Sequence, residues 1–182
     1  MMRETGRRLL GIGARARFAA YSLFEKKSSG DSNFAPGAGK YILKSPDGAL
    51  EVTVSGGKLT YSAAVGGITV INPSEIGLLV QGSKNIDADV TLGEPKIEPC
   101  EETYRDLDTE TDITDRHMNY IIPVCSKKFR YSLEVRIWND GFGFRLLFGK
   151  DTGLLISDEL TQFNVPGDTV CRYQTDLKKM QG

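Results

Sequence analysis

Apolar and polar residues alternate with period two through much of residues 41–166. That pattern buries one face of a β-strand and wets the other. It is clearest over residues 129–148, FRYSLEVRIWNDGFGFRLLF. Phe129, Tyr131, Leu133, Val135 and Ile137 share one parity; Arg130, Ser132, Glu134 and Arg136 share the other. Phe142, Phe144, Leu146 and Phe148 then alternate with Gly143, Arg145 and Leu147. Asn139-Asp140-Gly141 between the two runs is a hairpin signal, because Gly accepts positive φ without steric cost. A two-residue Asp140-Gly141 loop pairs Ile137 with Phe144, Val135 with Leu146 and Leu133 with Phe148. A three-residue loop closed between Trp138 and Phe142 sets Arg136 beside Phe144 and mixes the faces. A one-residue slip moves every side chain across the sheet, so parity predicts the two-residue register.

The same grammar begins at Tyr41. Tyr41-Ile42-Leu43 reads as a short strand, and Ser45-Pro46-Asp47-Gly48 as a turn with Pro and Gly where turn geometry favours them. Leu50, Val52 and Val54 alternate with Glu51 and Thr53. Gly56-Gly57 turns the chain into Leu59, Tyr61, Ala63 and Val65, and Gly66-Gly67 leads on to residues 68–71. Asn72-Pro73-Ser74 reads as a break, and residues 76–80 as a strand buried on both faces, since its apolar run is nearly continuous. Residues 84–90 and 93–102 hold weaker strands, which Pro95 and Pro99 confine to edges or irregular stretches. Residues 103–116, TYRDLDTETDITDR, are polar and acidic and predict a long surface loop before the apolar strand 120–124. Leu154-Leu155-Ile156 is a short apolar strand, and residues 158–166 an extended piece ending at Pro166. No amphipathic helix is predicted over residues 41–166. Short strands broken by Gly, Pro and Asn predict an all-β sandwich.

The flanks differ. Residues 25–40, EKKSSGDSNFAPGAGK, have no apolar period and read as a linker. Residues 1–24 carry Arg3, Arg7, Arg8, Arg15 and Arg17 against one acid, Glu4. The apolar run there is short and interrupted by Arg15 and Arg17, unlike a secretory signal. Two readings stay open, a transit-type presequence or an unstructured start outside the fold. The expected organisation is thus a disordered or irregular tail and linker over 1–40, a sandwich over 41–170, and a C-terminal tail over 171–182.

At 182 residues the chain is one domain with a tail, shorter than the roughly 200 residues or more of a complete (β/α)₈ barrel. A formal net charge of −1 gives no field to recruit nucleic acid or an anionic membrane. No run approaches the ~18 apolar residues of a membrane helix. Cys100, Cys125 and Cys171 lie far apart with no Cys-x-x-Cys pair and read as thiols packed as small hydrophobes. One disulfide among them is open only outside a reducing compartment. A zinc site wants clustered ligands, and His117 is the one histidine.

Catalytic sets fare no better. Nucleophilic catalysis through a histidine has only His117 to use, and no nucleophile elbow or phosphate-binding Gly-rich loop opening a helix is present. Asp106, Asp108, Glu110, Asp112 and Asp115 suggest a calcium loop, but an EF-hand counted from Asp106 meets Thr111 and His117 where it needs Gly and Glu. These acids read as a solvated charge run. Glycoside hydrolysis needs two acids across a cleft, and sequence places no such pair. Glu134, Arg136 and Arg145 share the non-core hairpin face, with Glu134 diagonal to Arg145 in the two-residue register, and read as a cross-strand ion pair. Trp138, on that face, is the one candidate for stacking on a sugar ring or for an interface. No catalytic residue and no metal ligand is assigned.

Four segments in fixed order carry a resemblance: SPDGALEVTV (45–54), NPSEIGLLV (72–80), VRIWNDGFGFR (135–145) and ELTQFNVP (159–166). Together they resemble the N-terminal domain of glycoside hydrolase family 97, a group of α-glucosidases and α-galactosidases, over residues 41–166. The resemblance implies an antiparallel β-supersandwich of the galactose-mutarotase-like type. It implies a non-catalytic accessory domain whose partners are a following (β/α)₈ barrel, which carries the catalytic acids, and carbohydrate. Family enzymes are often calcium-dependent and usually periplasmic or secreted. Residues 171–182 match no family pattern, so no calcium ligand carries over, and no cofactor is assigned to this chain. The expectation is an accessory domain ending before any barrel, with a stand-alone carbohydrate-binding module as the alternative.

Overall fold

The computed structural model of the chain describes residues 34–82, 86–105, 111–149, 154–167 and 169–170, and the backbone of 8–11 and 17–20. Every regular element among them is a β-strand. β1 (Arg8–Gly11) and β2 (Arg17–Ala20) pair with each other. β3 (Lys40–Lys44), β4 (Leu50–Ser55), β6 (Thr60–Val65) and β7 (Ile68–Glu75) form one antiparallel sheet in that order. The second sheet runs β13 (Phe142–Phe148), β12 (Arg130–Ile137), β11 (Asp112–Cys125). Along the far side of β11 lie two strands end to end, β10 (Lys96–Arg105) and β9 (Ala88–Leu92), with β5 (Gly57–Lys58) on β9. β8 (Leu78–Val80) pairs with β14 (Ile156–Glu159). Residues 1–7, 12–16 and 21–33 of the tail and linker expected over 1–40, and the tail over 171–182 with Cys171, lie outside the described residues.

Burial explains the layering. β4 buries Leu50, Val52 and Val54, and β12 buries Tyr131, Leu133, Val135 and Ile137, each set alternating as the sequence does. The two faces meet in one core with Ile122 and Val124 of β11. Each such side chain contributes about 1.5–3 kcal/mol on leaving water. Tyr61 of β6 joins the layers, its ring 5.9 Å from Phe142 and 5.1 Å from Phe144 of β13. Tyr120 of β11 does so by hydrogen bonds, its hydroxyl donating to Lys44 O (2.8 Å) and accepting from Lys44 N (3.0 Å).

The β12–β13 hairpin keeps the predicted faces but not the predicted loop. Ile137 pairs with Phe142, Val135 with Phe144, Leu133 with Leu146 and Tyr131 with Phe148. Trp138 N donates to Gly141 O at 2.8 Å, so the two loop residues are Asn139 and Asp140. The shift of two preserves parity, which is why parity alone did not detect it. Charge decides between the two: this register sets Glu134 opposite Arg145, whereas the other sets it opposite Leu147. It also brings the Tyr131 and Phe148 rings to 5.4 Å. Asn139 Oδ1 accepts from Asp47 N at 3.1 Å, tying this turn to the Ser45–Gly48 turn of the other sheet.

Other expectations are corrected. The loop predicted over 103–116 is strand at both ends: Thr103 pairs with Thr114, Tyr104 with Ile113 and Arg105 with Asp112. This arm runs beyond β12 and is exposed on both faces, so it has no apolar alternation to read. Its rungs are held instead by two 2.9 Å hydrogen bonds from Arg116 to Glu101. The break at Asn72-Pro73-Ser74 lies within β7, where the pairing with β6 shifts register. A bulge tolerates a proline that a continuous ladder does not. Leu155 and Ile156, expected as an apolar strand, are exposed. Gly66 and Gly67, both at positive φ, close the β6–β7 hairpin as predicted. The end of the presumed linker lies on the sandwich: Pro36 bridges Gly93, and Gly37 N donates to Leu92 O at 2.9 Å.

Leu133 is fully buried between the sheets. Leu133→Ala is expected to destabilise the domain by about 2–5 kcal/mol, since the cavity is only partly refilled. Urea unfolding should show a lower midpoint with an unchanged slope.

Candidate functional site

The non-core face of the second sheet carries the densest polar chemistry among the described residues. On β11, Asp115, His117 and Asn119 are two residues apart and therefore share this face. Glu134 and Arg136 on β12 and Arg145 on β13 continue it, and Trp138 follows directly after β12. Asn119 is the cross-strand partner of Arg136, and Glu134 that of Arg145.

Glu134 is 4 % exposed although it faces away from the core. Both its oxygens are engaged. Arg145 Nε donates to Oε2, and Arg136 donates to Oε1 through Nε (3.2 Å) and Nη2 (3.1 Å). Burial pushes the carboxyl pKa up, but the two guanidiniums outweigh it and hold the group below the ordinary glutamate range.

Asp115 anchors a second cluster. Its Oδ1 accepts from the Trp138 indole and lies 2.9 Å from His117 Nδ1. The His117 and Trp138 rings stand 5.0 Å apart, tilted by 43°. Partial burial raises the Asp115 pKa, while the indole and imidazole contacts lower it, and the net displacement is downward. Trp138, the sequence candidate for sugar stacking, is thus half-buried with its indole N–H committed to a carboxylate. Asn119 Oδ1 is buried with no hydrogen-bond partner among the described residues.

Chemically, the two acids of this face are engaged by neighbouring donors. A general acid for glycoside cleavage needs a raised pKa. Glu134 and Asp115 are displaced the opposite way, with donors on both oxygens of Glu134 and on Oδ1 of Asp115. The Asp115–His117 contact orients an imidazole as carboxylates do in catalytic sets, with Cys100 the cross-strand partner of His117. Cys100 and Cys125 are free and half-buried. Among the described residues no three His, Cys, Asp or Glu side chains converge on a metal position. Of the acids in the calcium pattern, Asp112 sits at the arm tip opposite Arg105 and Asp115 belongs to the Trp138 cluster. Asp106, Asp108 and Glu110 lie outside the described residues. The Asp115–His117–Asn119 row was missed because its first residues were read as loop. Its signal was the spacing of two, which only a strand converts into one face.

Fold and site together define a two-layer antiparallel β-sandwich whose polar face pairs Glu134 with two arginines and Asp115 with Trp138 and His117. The profile of the glycosyl-hydrolase 97 N-terminal family matches residues 43–181. The chain belongs to that family. Among solved structures it is similar to a glycoside hydrolase family 97 enzyme of Pseudoalteromonas sp. strain K8, solved in complex with panose and with acarbose. In both the TM-score is 0.64 at 21 % identity, covering 70 % of this chain and 20 % of that one. A β-arabinopyranosidase matches with a TM-score of 0.61 at 17 % identity, over 69 % of this chain and 21 % of that one. The chain therefore spans about a fifth of these solved chains, and the likeness is one of fold. No curated protein matches it.

Glu134→Gln leaves two guanidiniums facing a neutral amide and is expected to cost about 3 kcal/mol at neutral pH, as for other buried pairs broken on one side. The folded-state pKa is depressed, so the stabilisation is present above the unfolded value near 4.3 and is lost as pH falls through the folded one. Unfolding of variant and parent measured from pH 7 down to pH 2 should therefore converge in acid; a gap independent of pH would reject the ion pair as its cause.

Proposed function

We propose that this chain is the non-catalytic N-terminal sandwich of a family 97-type α-glycosidase, packing against a (β/α)₈ barrel and contributing to carbohydrate binding. The family match over residues 43–181 carries this reading. Two further observations support it. The chain corresponds to about a fifth of the solved family enzyme. The acids of the polar face, held ionised by arginine, indole and imidazole, suit a rigid wall better than proton transfer.

A stand-alone carbohydrate-binding module is the second reading. It is favoured by Trp138, whose half-buried ring stands beside His117 and Asp115, since aromatic faces with polar neighbours are what sugar rings stack on.

Two measurements separate these readings from each other and from an enzyme. The purified chain is expected to release p-nitrophenol from α-glucoside and α-galactoside substrates no faster than buffer; enzyme-like turnover, lost on dilution with unfolded protein, would sink the accessory reading. Trp138 is the only tryptophan, so fluorescence excited selectively in tryptophan reports on this site alone. Titration with maltooligosaccharides to millimolar concentration is expected to leave it unchanged if a barrel must complete the site. A saturable shift, with binding heat in calorimetric titration that Trp138→Phe removes, would establish the stand-alone module instead.

A further inference from the structure

Asp87 has no place in the polar face just described. It lies immediately before β9, is 1 % exposed, and neither carboxyl oxygen has a partner beyond its own residue among the described residues. The carboxyl packs on Gly77: a Cβ there would sit 3.0–3.2 Å from its three carboxyl atoms. Its backbone is fixed, with Leu59 N donating to Asp87 O at 2.9 Å and Ile86 N to Leu78 O at 3.3 Å. The Tyr131 hydroxyl donates to Ile86 O at 3.3 Å.

The residues around Asp87 also hold the C-terminal strap, residues 154–164. Leu160 N donates to Gly77 O and Gln162 N to Glu75 O, each at 2.9 Å. Gln162 O accepts from the Tyr61 hydroxyl at 2.8 Å, and Asn164 O from Asn72 N at 2.7 Å. The charged and titratable groups facing Asp87 among the described residues are Lys58 of β5, Glu75 of β7 and Tyr131 of β12. Lys58 is paired with Glu75.

We propose that Asp87 is a proton-operated latch on this strap. Protonated, the carboxyl fits against Gly77 as a neutral group. Ionised, it is a buried charge with no donor beyond its own amide among the described residues, which must either draw water in or pull Lys58 away from Glu75. Either movement works on Gly77 and Glu75, the two residues whose carbonyls hold Leu160 and Gln162. Burial is the largest influence on the carboxyl and raises its pKa; its own amide opposes this, Glu75 adds to the rise, and Lys58 opposes it. A raised folded-state pKa means stability that is complete below the unfolded value near 4 and is lost as pH rises through the folded one.

The test is amide hydrogen exchange on the whole chain from pH 4 to pH 8, each rate divided by its intrinsic value. Protection at Leu160 and Gln162 is expected to fall about tenfold for each unit by which the carboxyl is displaced, while the amides of β12 keep theirs. Asp87→Asn, uncharged and of the same shape, should abolish this pH dependence; an identical dependence in that variant overturns the latch. Should the variant not fold, the carboxyl ¹³C resonance of Asp87 in the unaltered chain decides. Titration at an ordinary aspartate pH overturns the proposal, as does a displaced titration that the strap amides do not follow. A displaced titration that they do follow supports it.

Discussion

The structure depends on what β12 must satisfy on its two faces at once. One face enters the core with Tyr131, Leu133, Val135 and Ile137. The other holds a carboxylate at 4 % exposure, Glu134, which is tolerable only with its oxygens matched by donors. A register that serves the apolar face alone has two solutions, two residues apart. Only one also sets Arg145 directly opposite Glu134. The hairpin is therefore specified jointly: hydrophobic burial selects the parity, and the ion pair selects between registers of equal parity. β11 repeats the arrangement, with Ile122 and Val124 inward and His117 and Asn119 outward but buried.

Gaps in the ladder are managed by close backbone approach. Gly93 lies where β9 hands over to β10 along β11: its amide donates to Pro123 O at 2.7 Å, and a Cβ there would stand 3.0 Å from the Pro123 side chain. Pro123, in mid-strand, offers no amide, so the glycine lets its carbonyl be used from the other side. Pro73 is accommodated where β7 shifts register, and the strap closes that side through Asn72 and Asn164. Both prolines thus lie in strands without leaving a buried carbonyl unanswered.

Legibility in the sequence followed burial. Where one face of a strand is buried, alternation exposed it: β4 and β12 were readable residue by residue, and the tight Gly66-Gly67 turn with them. Where neither face is buried, as in the paired residues 103–105 and 112–114, a strand has the composition of a loop, and it was read as one. Leu155 and Ile156 show the reverse failure, since an apolar pair looks buried whether or not anything covers it. At the candidate site, Trp138 and the Glu134–Arg145 relation were visible, because they belong to the hairpin. Asp115, His117 and Asn119 were not assembled, because placing them on one face required knowing that β11 starts at Asp112. Asp87 was invisible for a different reason: it lies in a turn, where no periodicity says which way a side chain points.

Family membership and site chemistry bear on different parts of the molecule. The segments that carry the family resemblance, around residues 45–54, 72–80, 135–145 and 159–166, contain the turn, bulge, hairpin and strap that hold the sandwich together. Glu134 and Arg145 are within or beside one of them, and their pairing sets a register and leaves no carboxylate oxygen open for exchange with a substrate. A fold maintained by such pairs constrains sequence without fixing what is bound. The row Asp115–His117–Asn119 with Trp138 differs in kind: it includes a buried amide oxygen that none of the described residues satisfies, and no register requires it. Scaffold residues of this sheet answer one another, so an acceptor left unanswered on the same face is where a contact from outside the sandwich has most to gain.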